Sequence, residues 1–175
     1  MLTKHQHRTS IRIDLSKCQD PKDICAIMQH WGIKDYVYAF EWQGKIVKYG
    51  HSADLTGAPG ERIYRQAGHL AGWRRGLHGS SGGDMRVIRM DFQNKYQHDL
   101  DRNEVTIWVL DMTQQDDDSD YYNAKTECCE LERYLIDECV KRCGAAPIGN
   151  RDRETQKVLT QAKNQELLDR FFEFK

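Results

Sequence analysis

No stretch of this chain stays apolar for anything near the ~20 residues a membrane-spanning helix needs, so no membrane span is expected. The first residues, Met1-Leu2-Thr3-Lys4-His5-Gln6-His7-Arg8, hold no apolar core of the kind an export signal carries, and the expected location is the cytoplasm. Among six cysteines there is no CxxC pair: Cys128 and Cys129 are adjacent, and Cys139 and Cys143 sit one helical turn apart. One straight helix cannot wrap four ligands tetrahedrally around zinc. The cysteines are therefore expected to pack as small reduced hydrophobes. The histidines, at 5, 7, 30, 51, 69, 78 and 98, show no zinc spacing either, and no repeat or low-complexity segment stands out.

A large charge excess is also missing: the formal net charge is −1. Its distribution is uneven. Residues 103–138 carry 2 Lys+Arg against 11 Asp+Glu, with a run at Asp116-Asp117-Asp118-Ser119-Asp120, while the remainder holds 24 against 16, a net +8. Such an asymmetry permits a phosphate-binding surface, although a charge run by itself is usually a solvated face. With 175 residues, 39% hydrophobic and 30% charged, the chain suits one ordinary globular domain with decorations.

Residues 9–14 alternate polar and apolar as a strand does. Asp20 as N-cap and Pro21 at the first helical position open a helix over about 21–31, with Ile24, Ile27, Met28 and Trp31 on one face and Gly32 ending it. Two aromatic or β-branched runs, Tyr36-Val37-Tyr38-Ala39-Phe40 and Ile46-Val47-Lys48-Tyr49, flank Gln43-Gly44 as a hairpin. A helix is expected near 59–71, with Ile63, Tyr64, Ala67 and Leu70 on one stripe, then a Gly/Ser-rich loop from Gly76 to Asp84. Strands follow near 85–92 and 104–111. A long helix near 120–143 takes the acidic run as its N-terminal cap, favourably placed on the helix dipole. Pro147 and Gly149 break the chain before an amphipathic helix over 152–173. The order predicts an α+β fold, a small mostly antiparallel sheet flanked by helices.

The residues suited to chemistry are scattered: Tyr36 and Tyr38 on one strand, Lys48-Tyr49-Gly50 on the next, Arg62 in the following helix, Glu132 in the long helix, and Asn150 after it. Each has a plainer reading. The tyrosines suit any strand, Lys48 any solvated edge, Arg62 and Glu132 any helix surface, and Asn150 any turn. In order, however, they resemble the GIY-YIG nuclease family: Tyr38 at the end of the first motif, Lys48-Tyr49-Gly50 at the second, and Arg62 within Glu61-Arg62-Ile63-Tyr64-Arg65. Leu131-Glu132-Arg133-Tyr134-Leu135-Ile136 resembles the family's glutamate helix, and Pro147-Ile148-Gly149-Asn150 its closing element. There are departures. Tyr36 replaces a glycine and Lys48 a tyrosine, and Gln66 stands where the family has histidine, with His69 nearby as a possible substitute. The lysine is similar to that of some small type II restriction enzymes of the family.

The resemblance implies a strand and helix extension over 1–34, a nuclease core over 35–150 with an insertion at about 72–103, and a C-terminal helix over 151–175. It implies hydrolysis of phosphodiester bonds in double-stranded DNA with Mg²⁺ or Mn²⁺ and a homodimer for a double-strand cut. Tyr38 would be the general base, Lys48 and Arg62 the groups offsetting charge, and Glu132 the metal ligand. A free phenol titrates near ~10, so a lysine beside it would lower that value or orient the water. Tyr36, His69 and Asn150 would support the site, while Arg65, Arg74, Arg75 and His78 would meet DNA phosphates or guanine edges. Alternatives are a homing nuclease, for which the chain lacks room for a separate DNA-binding domain, and a catalytically dead domain that regulates by binding DNA.

Overall fold

The computed structural model describes residues 10–20, 22–53, 57–70, 102–113, 121–147 and 149–150. Strand β1 (Ser10–Asp14) leads through a short 3₁₀ turn to helix α1 (Lys22–His30). Strands β2 (Tyr36–Trp42) and β3 (Lys45–Ser52) form the hairpin, followed by α2 (Glu61–Leu70), β4 (Val105–Asp111) and α3 (Tyr121–Cys143). The four strands make one antiparallel sheet in the order β1-β4-β2-β3. The fold is α+β, as the element order predicts.

Local chemistry explains the boundaries. The Asp20 carboxylate accepts the Lys22 amide at 2.7 Å, while Asp23 reaches back to the amides of Gln19 and Asp20 at 2.7 and 3.1 Å. This reciprocal cap satisfies donors that the first turn of α1 leaves open. At the other end Gly32 takes φ +67°, and the Gly32 and Ile33 amides return to the carbonyls of Gln29 and Met28. That turn corrects one expectation. Trp31 lies beyond the last helical residue and is 55% exposed, and Ile33 enters the core in its place. In the hairpin, Gln43 (φ 46°) and Gly44 (φ 76°) both take left-handed backbone, the geometry a two-residue β-hairpin turn requires.

The sheet buries both faces. Tyr36, Tyr38, Phe40 and Trp42 point to one side and pack with Ile24 and Met28 of α1 and with Ile63 and Ala67 of α2. Val37, Ala39 and Tyr49 point to the other, against Cys128, Leu131, Tyr134 and Leu135 of α3. The strand and helix expected as an N-terminal extension contribute Ile11, Ile13, Ile24 and Met28 to the first of these cores. Among the described residues no helix is long and apolar enough to cross a membrane. The strand expected at 85–92, the Gly/Ser-rich loop, the acidic run at 116–120 and the helix at 152–173 lie outside the described residues.

Candidate functional site

Period-two alternation along β2 sends Tyr36 and Tyr38 to the same face, their ring centroids 6.0 Å apart. Opposite Tyr38 in the register stands Gly50 of β3. A Cβ on Gly50 would overlap the Cζ and hydroxyl of Tyr38 and lie 2.9 Å from its Cε1. The missing side chain therefore lets the Tyr38 ring lie across the backbone of β3. Its hydroxyl there donates a hydrogen bond to Oε1 of Gln66, which is buried on α2. Gly50→Ala is expected to cost about 1–3 kcal/mol by overpacking, measured as a lower urea midpoint, because the displaced Tyr38 ring is fully buried and must shift within the core.

Tyr36 meets different partners. Its hydroxyl is hydrogen-bonded to Ser52, its neighbour across the hairpin, and to the backbone amide of Ile63 in the first turn of α2. That amide is one of the donors a helix start leaves unpaired. Arg62, exposed in the same turn, acts electrostatically on both phenols and favours their ionised forms. Burial outweighs it. The Tyr36 phenol is pushed up to about 12, and Tyr38, under burial and the Glu132 carboxylate, is raised further. The expected lowering of the Tyr38 pKa thus meets a net shift in the other direction. Tyr49, buried against α3, is raised as well.

These three phenols set a pH dependence. Each holds its proton in the fold at a pH where the unfolded chain, with phenols near ~10, has lost it. The unfolded state then binds fewer protons, so stability is intact below about pH 10 and falls as pH rises above it. At about pH 11 each such tyrosine costs about 1.4 kcal/mol, some 4 kcal/mol for the three. Urea titrations at about pH 9 and about pH 11 are expected to differ by this order.

On the other face, Glu132 projects from α3 and is 2% exposed. Its carboxylate is engaged by Nδ1 of His51, which pairs with Val37 across the hairpin and so faces α3. In the sequence His51 stands out only as a histidine without zinc spacing. The signal that marks it is its parity with Tyr49, two residues earlier on the α3 face. Glu132 also acts across the sheet edge on the Tyr38 phenol. Among the described residues no three His, Cys, Asp or Glu side chains converge to hold a metal. Mg²⁺ commonly binds through one or two carboxylates, completing its shell with water and phosphate oxygens. In that minimal mode Glu132 would be the single protein ligand, its almost wholly buried carboxylate shared with His51.

Lys48 follows a β-bulge, in which the extra residue Val47 opposes the step between Phe40 and Glu41. Its ammonium donates to the Gly149 carbonyl at 3.4 Å. Gly149 presses so closely on β3 that a Cβ there would come 2.8 Å from that of Lys48. Next to it the Asn150 side chain accepts from the Tyr49 amide at 2.8 Å and donates to the Tyr49 carbonyl at 2.9 Å. One amide thereby satisfies both outward-facing backbone groups of an edge-strand residue. Asn150→Ala is expected to lower stability by about 1–3 kcal/mol, seen as an earlier thermal transition, with Asn150→Asp rescuing only the acceptor half.

The fold thus gathers Tyr36, Tyr38, Gln66 and Arg62 from β2 and α2, with Glu132 on the α3 face acting electrostatically on Tyr38 and with Asn150 bonded to Tyr49 beside Lys48. Compared with family models, curated proteins and solved structures, the chain matches none. Arg65, expected to meet DNA, is exposed on the α2 surface and ion-paired with Glu61 one turn away. The His69 side chain, Arg74, Arg75 and His78 lie outside the described residues.

Proposed function

We propose that this protein is a metal-dependent endonuclease of double-stranded DNA, built on a GIY-YIG-like core and used as a site-specific type II restriction enzyme. The observation that carries the reading is that Arg62 and Glu132, from separate helices, both act on the phenol of Tyr38. A cation, an anion and a hydroxyl within electrostatic reach of one another are the groups a phosphodiester hydrolase requires.

In this reading the guanidinium of Arg62 binds the scissile phosphate through paired hydrogen bonds and offsets charge that builds in the transition state. Tyr38 contacts the attacking water in line with the leaving 3′ oxygen. As that water's oxygen bonds to phosphorus, the P–O3′ bond breaks and its electron pair leaves on the 3′ oxygen. Lys48, anchored at Gly149, adds positive charge along β3. Glu132 is the group to hold Mg²⁺ or Mn²⁺, which supplies Lewis-acid stabilisation of phosphate oxygens when bound. Cutting both strands with one site per chain calls for a homodimer, whose two-fold axis suits a palindromic site. The expected setting is the cytoplasm.

The test is incubation with supercoiled plasmid, with and without Mg²⁺. Discrete linear products only with metal support the reading. Binding without cleavage at any metal concentration points to the regulator alternative, and one long asymmetric site to a homing enzyme.

A further inference from the structure

The two buried phenols differ in what their oxygens do. Tyr36 accepts from the Ile63 amide and is hydrogen-bonded to the Ser52 hydroxyl, whereas Tyr38 gives its hydrogen to the Gln66 carbonyl. We infer that Gln66 is a positioning residue that holds the Tyr38 proton, so that Tyr38 meets the attacking water as an un-ionised hydrogen-bond acceptor rather than as a base. The role in cleavage rests on the nuclease reading. The hydrogen-bond assignment does not.

A phenol has one proton and two lone pairs on its oxygen. When the proton is committed to Gln66, the lone pairs are the only functional face the Tyr38 oxygen, fully buried in this fold, can offer a water admitted with the substrate. An amide oxygen has no useful basicity near neutral pH, so Gln66 accepts the hydrogen bond without taking the proton. Gln66 sits one turn beyond Arg62 on α2, is 5% exposed, and cannot swing away without leaving its amide buried and unpaired. Burial is the largest influence that keeps Tyr38 un-ionised. Arg62 on α2 opposes it, Glu132 on α3 and Tyr36 on β2 reinforce it, and the Gln66 contact is a small influence toward ionisation that does not reverse the net shift. His51 on β3 faces Glu132. The proton the water loses passes to a non-bridging oxygen of the attacked phosphate and from there to the leaving 3′ oxygen. The step balances with no protein base.

The experiment uses the full chain labelled at tyrosine ¹³Cζ, with the Tyr38 resonance assigned by its loss in Tyr38→Phe. The Tyr38 shift is expected to stay that of a neutral phenol up to about pH 11, beyond the ordinary phenol range. A slowly exchanging hydroxyl proton should be visible in the wild type and in Gln66→Glu, whose carboxylate accepts the same bond, and absent in Gln66→Met. In plasmid cleavage Gln66→Met should lose ~10-fold in kcat, about the worth of one hydrogen bond, with little change in KM. Titration of Tyr38 below about pH 10 would overturn the inference. So would persistence of the hydroxyl proton in Gln66→Met, or its loss in Gln66→Glu, which would mean that Gln66 donates. These spectra decide the matter even if no DNA is cut, so failure of the nuclease reading is seen separately.

Discussion

Glu132→Gln is expected to abolish plasmid cleavage, by ~10³-fold or more, while leaving DNA binding nearly intact. The carboxylate is the group proposed to carry the metal, and Lewis-acid stabilisation of a phosphoryl oxygen is worth several kcal/mol, of which about 4 corresponds to that factor. The amide is nearly the same size and still offers an oxygen to His51, so the packing of α3 against β3 is largely preserved. It removes the charge alone. In the proposed reading, affinity for DNA would come from many phosphate contacts, to which a carboxylate contributes none directly. Cleavage assays over a Mg²⁺ range, set beside gel-shift titrations and a thermal melt, read all three quantities. Near wild-type cutting by a folded Glu132→Gln protein would remove the glutamate from the chemistry and leave its partnership with His51 as a structural one.

The second large effect is at Tyr38. Tyr38→Phe keeps the ring that lies across Gly50 and its edge-on contact with Phe40, whose ring centroid is 5.6 Å away. It deletes only the hydroxyl, so stability should change by little more than one hydrogen bond to Gln66, about 1 kcal/mol. Cleavage should fall by ~10² or more, the cost of misplacing a reacting group by about an ångström. Tyr36→Phe is the informative control. Its hydroxyl ties Ser52 to the start of α2, so its loss is expected in the melting temperature more than in kcat. The reverse pattern, a large kinetic loss at Tyr36 and a small one at Tyr38, would move the reacting phenol two residues along β2.

Much of the scaffold was legible because it rests on short-range rules. The cap at Asp20, the turn at Gln43-Gly44, the alternation along β2 and the long α3 each follow from a few neighbouring residues. Trp31 failed for an instructive reason. Helical periodicity carries it onto the apolar face, but periodicity holds no information about where the helix stops, and the turn at Gly32 ends it at His30, one residue before Trp31. Strand order was beyond reach too. That β1 pairs with β4, nearly a hundred residues on, depends on which edges remain open once the hairpin and α3 are in place.

Among the site residues, those with a distinctive place in an ordered motif could be singled out, and those defined by a contact could not. Nothing in the sequence near Gln66 says that its amide meets the Tyr38 hydroxyl, because that contact requires Gly50 opposite Tyr38 and α2 packed on the same face. His51 is similar: its partner Glu132 is 81 residues away, and only the register of β3 against β2 turns it toward α3. The effect of burial on the tyrosines was also hidden, since a strand-like pattern does not reveal that both faces of the sheet are covered.

The amide of Asn150 bears on how two copies of this chain could associate. An edge strand with open donors and acceptors invites a neighbour to continue the sheet. At Tyr49 that invitation is withdrawn: a single side chain imitates the rung a partner strand would supply. A dimer that joined the two sheets through their β3 strands would first have to peel residues 149–150 away from Lys48 and Tyr49, dismantling the surroundings of the proposed site in the act of assembly. A two-fold arrangement of the proposed kind that keeps both sites intact would therefore have to be built from a surface other than the β3 edge.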